Sequence, residues 1–469
     1  MQKLLIIGGG FSAVALTCQL LKQPIPQHIY IIAPKATWFG GIAYRCAARN
    51  HRLNVVAGNM SLYPQHPHDF VNFLCEQAEF SATPREELLK SFVERRWYGA
   101  YLQQRVTQAQ RSGASVGHSV EWIDGQVSSL QAHLTSVQIT CSNGEQLEAN
   151  RVVIATGNKP SEPPWANCLE SPDLKHLPIL VSNPWIAKFP HPVDQNLPVV
   201  LIGAGLTMVD TYLALRSQGI GNPVIALSRK GLAPLPHSFA TLTDIGVNPH
   251  EFGEQFVRLK SLKQQLLLAA RTLRTLAKQG ISPEAFVAAI REHVQSIWRQ
   301  WTIAEKQQFM RHLASRWNVI RHRVPGDIYA TLQQDQQLRR LIYQQARLTS
   351  ISGHAEALTV QLSHNNGSTS QIEASLVVNC TGPSRNGVTS VDAPLFAEIK
   401  RGRYQVDALG FGVAADPKSF AVLEHTGEPS KLVYVLGSLL RGALWETTAV
   451  PDIRVLAHQL ADSLAAKPA

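Results

Sequence analysis

The chain has 469 residues and a mass of 51.6 kDa, enough for two or three domains at roughly 100–200 residues each. Hydrophobic residues make up 45% and charged residues 17%, with 31 Gly and 27 Pro, which excludes disorder, collagen or a coiled coil as a description of the whole chain. The formal net charge is +10. No run approaches the ~18 apolar residues of a membrane span, and the apolar residues 4–7 are too few and too Gly-interrupted for a signal peptide, so a soluble cytoplasmic protein with no membrane partner is expected.

Residues 3–7 read as a buried strand, followed by Gly8, Gly9, Gly10, Phe11, Ser12 and Ala13, a helix-like run to Leu21 and a second apolar strand at 29–32. This is a β-α-β unit with G-x-G-x-x-A at its first turn. The first Gly permits the tight turn, the second lets backbone approach a pyrophosphate, and the small third residue lets helix and strand pack closely. The helix N-terminus then presents unpaired N–H groups to the phosphates. Residues 121–149 alternate apolar and polar, with a turn at Asn143 and Gly144, and suit a β-meander covering the first domain. An apolar strand at 152–154 ends in Ala155, Thr156 and Gly157, and another at 376–378 runs into Asn379, Cys380, Thr381 and Gly382; both read as strands whose ends lie against a cofactor.

The dinucleotide pattern recurs after residues 198–202, where Gly203, Ala204, Gly205, Leu206, Thr207 and Met208 open a helix and 224–227 supply the next strand. Two such units in one chain are far more specific than one. From about 251 to 345 the period becomes helical and the composition rich in Leu, Gln and Arg, as in an all-helical insertion. Between 251 and 350, 16 Lys or Arg stand against 7 Asp or Glu, so one segment carries nearly all the charge imbalance. It has no nucleic-acid motif, and an anionic cofactor or substrate accounts equally for a local positive field, so nucleic acid is not an expected partner. Such an insertion either covers a cleft or forms a dimer contact, leaving monomer and homodimer both open. The six cysteines, at 18, 46, 75, 141, 168 and 380, have neither metal-ligand nor redox-pair spacing and read as ordinary thiols.

Two Rossmann turns with an A-T-G strand between them resemble the two-dinucleotide-domain flavoproteins, which bind FAD in the first domain and NAD(P)H in the second. The motifs GGIAY at 40–44, LNV at 53–55 with Met60 and Ser61, GAGLTMVD at 203–210, SRKG at 228–231, WNVIRHR at 317–323, NCTGP at 379–383 and RGALWETTAVPDIR at 441–454 narrow the resemblance. They point to the branch that includes a FAD-dependent urate hydroxylase and is related to the N-hydroxylating monooxygenases. The implied fold is α/β, with an FAD-binding domain at 1–196 and 370–469, an NAD(P)H-binding domain at 197–250 and 346–369, and a helical insertion at 251–345.

The resemblance implies a monooxygenase in which NADPH reduces FAD, O2 is taken up, and a flavin C4a-hydroperoxide hydroxylates a small polar nitrogen-containing metabolite, a urate-like purine or an amine. The alternatives are an FAD-dependent NAD(P)H reductase or dehydrogenase without oxygen insertion, and a redox-silent cofactor-binding protein. Expected cofactor contacts are Gly8, Gly10, Phe11, Ser12, Ala13, Thr156, Gly157 and Gly437 around FAD, Gly203, Gly205, Leu206 and Thr207 around NADPH, and Thr381 and Gly382 at a strand end against a cofactor. Asn54, Met60, Trp445, Glu446 and Thr447 are expected near the flavin, where a helix beginning after Gly437 would aim backbone N–H groups. Arg321, His322 and Arg323 are the catalytic candidates, two cations for an anionic group and an imidazole able to move a proton near neutral pH. His237 reads as a loop residue first.

Several features qualify the resemblance. Ala33 and Pro34 stand where an FAD domain usually carries a ribose-binding carboxylate, implying weaker FAD binding. Gly437 is followed by Ser438 where many relatives have Asp. The F-x-G-x-x-x-H motif of Baeyer-Villiger enzymes is missing, which argues against ketone oxygenation, and the lack of a redox cysteine pair near Cys46 argues against disulfide reduction. Ser228, Arg229 and Lys230 replace the carboxylate of an NAD site with a hydroxyl and two cations, which suits a 2′-phosphate and so NADPH, with NADH still possible.

Overall fold

A computed structural model describes residues 2–45, 51–158, 161–185, 188–192, 194–382 and 393–465. The chain forms two compact units, Met1–Lys159 with Arg385–Ala469 and Pro160–Ser384. Both are built on one chain path.

In the first unit, β1 (Gln2–Ile7) leads through a glycine turn into helix Phe11–Leu20 and back to β2 (Gln27–Ala33). The chain then reaches β3 (Ser119–Asp124), an antiparallel trio of β4 (Val127–Ala132), β5 (Val137–Cys141) and β6 (Gln146–Ala149), and β7 (Arg151–Ile154). With β16 (Ala421–Leu423) and β17 (Pro429–Val435) the sheet order is β16-β17-β7-β1-β2-β3. All its neighbours are parallel except β16 with β17. Its central strands are continuous apolar runs because both faces are covered: Leu5, Ile6, Val152 and Val153 have no exposed surface. Every residue of helix Phe11–Leu20 is buried, and it packs on helices Val450–Ala465 and Arg95–Ala114.

In the second unit, β9 (Val199–Ile202), helix Leu206–Ser217, β10 (Val224–Ser228) and β11 (Leu341–Gln345) repeat that path. A second antiparallel trio follows, β12 (Arg347–Gly353), β13 (Leu358–Ser363) and β14 (Thr369–Ala374), then β15 (Leu376–Asn379). With β8 (Leu180–Val181), the parallel order is β11-β10-β9-β15-β8. β15 lies beside β9, Val378 opposite Leu201, which makes it part of the second sheet.

The stretch 121–149 splits in a way its alternation conceals. Residues 119–124 pair in parallel with β2 as the edge of the main sheet, and only β4–β6 form the antiparallel trio. The expected helical insertion lies between β10 and β11, as helices Pro249–Arg258, Leu262–Lys278, Glu284–Ile290, Val294–Gln300, Ile303–His312, Ala314–Arg321 and Gly326–Gln337. Several starts are written in sequence. Asn248 accepts from the His250 and Glu251 amides, Ser261 from Gln264, and Thr302 with Glu305 forms a reciprocal capping box.

One contact recurs at the head of each unit. Gly8 has φ +120°, and a Cβ built there would stand 2.4 Å from the Ala155 carbonyl oxygen; Gly203 has φ +117°, with the Cys380 carbonyl oxygen at 2.3 Å. Gly205, by contrast, has ordinary extended φ and nothing within 4 Å. We therefore expect Gly203→Ala to lower unfolding stability by about 3 kcal/mol. Gly205→Ala should cost less than about 1 kcal/mol and weaken dinucleotide binding instead. Urea unfolding of the full chain with and without NADPH separates the two effects.

Candidate functional site

The two glycine turns are hydrogen-bonded alike. The Gly8 amide donates to Ile32 O at 2.8 Å and the Ala155 amide to Ile7 O at 2.8 Å; the Gly203 amide donates to Leu227 O at 3.0 Å and the Cys380 amide to Ile202 O at 2.9 Å. Each turn is thus clamped between two strands, β2 and β7 in the first unit and β10 and β15 in the second. Gly10 and Gly205 are extended N-caps, and neither helix start is capped by a side chain. A Cβ on Gly10 would meet nothing closer than Gly41 Cα at 3.7 Å. Uncapped first-turn amides facing an open glycine have the donors and the space that a dinucleotide diphosphate needs. The residues at both turns fit such a group.

The first unit brings Ser12, Gly157, Gly437 and Ser438 to this turn. A Cβ on Gly437 would lie 2.9 Å from Ser12 Oγ, and Ser438 Oγ donates to Gly157 O at 2.6 Å. Phe11, Ser12 and Ala13 are buried in the helix start. The helix expected directly after Gly437 is instead a single 3-10 turn, Gly437–Leu440, and the long helix begins at Val450. Trp445, Glu446 and Thr447 form its lead-in. Glu446 and Thr447 are buried, and Thr447 Oγ1 has no hydrogen-bond partner among the described residues, an orphaned polar atom of the kind a bound group satisfies. Met60 is a core residue at 2% exposure, whereas Asn54 is half-buried on a bend.

At the end of β2, Ala33 O accepts from Trp38 Nε1 at 2.8 Å, and a Cβ on Gly9 would come within 2.9 Å of Ala33 Cβ. The register partner of Ala33 is Asp124 on β3, whose carboxylate accepts from the Lys35 amide at 2.8 Å. A carboxylate therefore stands one strand away from the usual ribose position, closing the turn after β2.

In the second unit, Asn379 Oδ1 accepts from the Thr381 amide at 3.1 Å and its hydroxyl at 2.7 Å, and Ser161 Oγ lies 2.7 Å from Thr381 Oγ1. These bonds shape the strand end up to Gly382, which has φ +80°. Leu206 and Thr207 open the helix after Gly205, half-buried. Ser228 Oγ accepts from the Leu232 amide at 3.0 Å, and the Lys230 ammonium reaches Arg311 O at 3.4 Å. Arg229 is exposed, with no ion pair among the described residues.

Arg321 and His322 end helix Ala314–Arg321, both half-buried, while Arg323 turns inward and is 3% exposed. Its guanidinium pairs with Glu284 and donates to Ile320 O. Burial pulls its pKa down to about 10, leaving it a cation at neutral pH. Sequence reasoning missed the carboxylate. Glu284 also faces His237 Nδ1 at 3.3 Å and accepts from the Ser238 amide at 2.7 Å, Ser238 Oγ at 2.8 Å and the Phe239 amide at 3.1 Å. Phe239 has φ +54° and stacks on His237, ring centroids 5.9 Å apart. The only sequence signal for Glu284 is S-P-E ahead of an apolar run, the mark of a helix start. Cys46 and Pro383 lie outside the described residues.

Residues 5–159 match the family model described as FAD-NAD(P)-binding. A search of curated proteins finds no match. Among solved structures, the chain is similar to the ornithine N-hydroxylase of Kutzneria sp. 744, a complex with reduced FAD, NADP+ and L-ornithine, at TM-score 0.65 and 15% identity over 99% of both chains. It is also similar to the L-lysine 6-monooxygenase of Pseudomonas syringae, at TM-score 0.62 and 15% identity over 99% of this chain and 98% of that one. The bacillithiol disulfide reductase of Staphylococcus aureus matches with the same coverage and identity at TM-score 0.56. One fold thus serves oxygenases and a reductase. The clamped turns, the repeated sheet order and these likenesses give one conclusion: the chain has the fold of these two-dinucleotide-domain structures, and its residues 5–159 match the FAD-NAD(P)-binding family model.

Proposed function

We propose that the protein is an FAD-dependent, NADPH-using monooxygenase that hydroxylates an amine nitrogen of a small metabolite. The observation that carries this reading is the pair of uncapped, equally clamped glycine turns in one chain, on a fold that spans the whole length of an ornithine N-hydroxylase. Bound FAD supplies the redox chemistry with O2 as co-substrate, and NADPH supplies the electrons. An amine is preferred to a urate-like purine because the similar oxygenases act on ornithine and lysine.

The chain's own residues then bind, orient and shield. First-turn amides of Phe11, Ser12 and Ala13, with Gly8, Gly10, Thr156, Gly157 and Gly437, hold FAD. The corresponding amides of Leu206 and Thr207, with Gly203 and Gly205, hold the diphosphate of NADPH. Arg229 and Lys230 neutralise a 2′-phosphate beside Ser228. Thr447, with Asn54, Trp445 and Glu446, offers polar groups to the flavin, and Thr381 and Gly382 line the strand end near NADPH. Arg321 and His322 are the cationic and proton-moving candidates. Arg323 works through Glu284, which fixes the backbone from His237 to Phe239, so it is a positioning residue.

Stopped-flow reduction of the FAD-loaded chain without oxygen should show faster flavin bleaching with NADPH than with NADH, and Arg229→Ala should lower kcat/KM for NADPH roughly 10-fold to 100-fold while sparing NADH. Air and an amine panel including L-ornithine and L-lysine should then give hydroxylated product in step with NADPH loss. Failure of both nicotinamides to bleach the flavin would leave a redox-silent protein, and complete conversion of NADPH to hydrogen peroxide with every amine would make it an oxidase or reductase.

Arg323→Ala should destabilise the chain by about 3 kcal/mol, the lower end for breaking a buried pair, because Glu284 is 15% exposed and keeps its Ser238 and Phe239 donors. Adding Glu284→Gln should recover part of that loss in urea unfolding. Wild-type stability in Arg323→Ala would show that the ion pair does not hold the loop.

A further inference from the structure

The positive surplus between 251 and 350 exceeds the carboxylates of that segment, and the structure shows where a compact part of it goes. Helix Leu262–Lys278 carries Lys263, Arg271, Arg274 and Lys278 and no acidic residue. It buries Leu262, Gln265, Ala269, Thr272 and Leu276. Steps of three and four residues place Lys263, Leu267, Arg271, Arg274 and Lys278 on one outward stripe, and all five are exposed. Between that stripe and the buried face runs a second one, Leu266, Ala270, Leu273 and Ala277. It is apolar and only half covered: Leu266 is 38% exposed, and Leu267 beside it 64%. Among the described residues none of the four cations, nor Lys260 just before the helix, has an ion-pair partner, whereas Arg258 pairs with Glu254, Arg323 with Glu284 and Arg340 with Asp335.

We infer that the outward face of helix Leu262–Lys278 docks on an anionic lipid surface, with the helix lying along the headgroups. The helix does not cross the bilayer, and no described helix is long and apolar enough to do so. The chemistry selects the occupant. A second copy of this chain packed face to face would set unpaired cations against unpaired cations. A nucleic acid offers phosphates to the cationic stripe and nothing to the half-exposed leucines. The boundary between headgroups and acyl chains takes both, phosphates against Lys and Arg and hydrocarbon against Leu266, Leu267 and Leu273. This assigns part of the basic field to lipid. It does not depend on the proposed reaction.

The test is co-sedimentation of the full-length protein with vesicles of phosphatidylcholine alone and with about 30 mol % phosphatidylglycerol, at low and near-physiological salt. The expected result is binding to the anionic vesicles only, weakened by salt. The pair Arg271→Glu with Arg274→Glu should cut the partition coefficient about tenfold or more. Leu267→Ser, which keeps every charge, should cut it about threefold to tenfold. Both variants change outward-facing side chains, and unchanged circular dichroism and thermal unfolding verify that they fold. Equal binding to neutral vesicles, no binding to anionic ones, or insensitivity to either variant overturns the inference. So does tighter binding to duplex DNA that the charge variant abolishes and Leu267→Ser leaves intact, which assigns the face to nucleic acid.

Discussion

At the first glycine of each unit the chain leaves one strand, turns, and enters a helix within hydrogen-bonding reach of two neighbouring strands. The space for a side chain is already taken by a backbone carbonyl, Ala155 O behind Gly8 and Cys380 O behind Gly203. That contact fixes how closely β7 approaches β1 and β15 approaches β9, and with it where the strand ends at Thr156 and Thr381 stand relative to the helix amides. Because backbone makes the contact on one side and a missing Cβ on the other, it has little tolerance, and every group placed around either turn inherits its position from it.

The second unit adds a clamp that the first does not need. Its helical insertion is joined to the loop after β10 by backbone bonds of Leu235 and His237 with Val324 and by Glu284, a carboxylate that gathers a buried guanidinium, an imidazole, a hydroxyl and two amides. Such a group is costly to bury and holds its place only when nearly every lone pair is used. The geometry it imposes includes a left-handed backbone at Phe239, which a bulky residue does not adopt unaided. Strain there is offset by the hydrogen bonds around Glu284, so loop shape and insertion packing form one cooperative piece.

How much of this was readable from sequence depends on whether the determining interaction is local. The turns at Gly8 and Gly203 were legible because a strand, three small residues and a helix follow one another directly, and the helical insertion because its period and caps at Asn248, Ser261 and Thr302 are local. Residues 119–124 were not separable from β4–β6, since alternation does not tell a parallel edge strand from the first strand of a meander; only pairing with β2 does. The helix expected from Gly437 does not include Trp445 to Thr447, because the 3-10 turn at Gly437 and the helix start at Val450 are decided by packing. Glu284 and Arg323 lie 39 positions apart in sequence, and nothing in either stretch announces that the two meet.

The same distinction explains the charge. Composition located the surplus to one segment, but a segment is not a surface. Arg323, Arg340 and Arg258 each meet a carboxylate, so their charges are largely spent inside the unit or beside it. Lys263, Arg271, Arg274 and Lys278 meet none among the described residues, and the helix that carries them turns its buried arc to the insertion and leaves its leucines half covered. A solvated face would gain nothing from Leu266 and Leu267, and a packed face would not keep four unpaired cations. Only a surface that is anionic and partly apolar makes both halves of the pattern favourable at once.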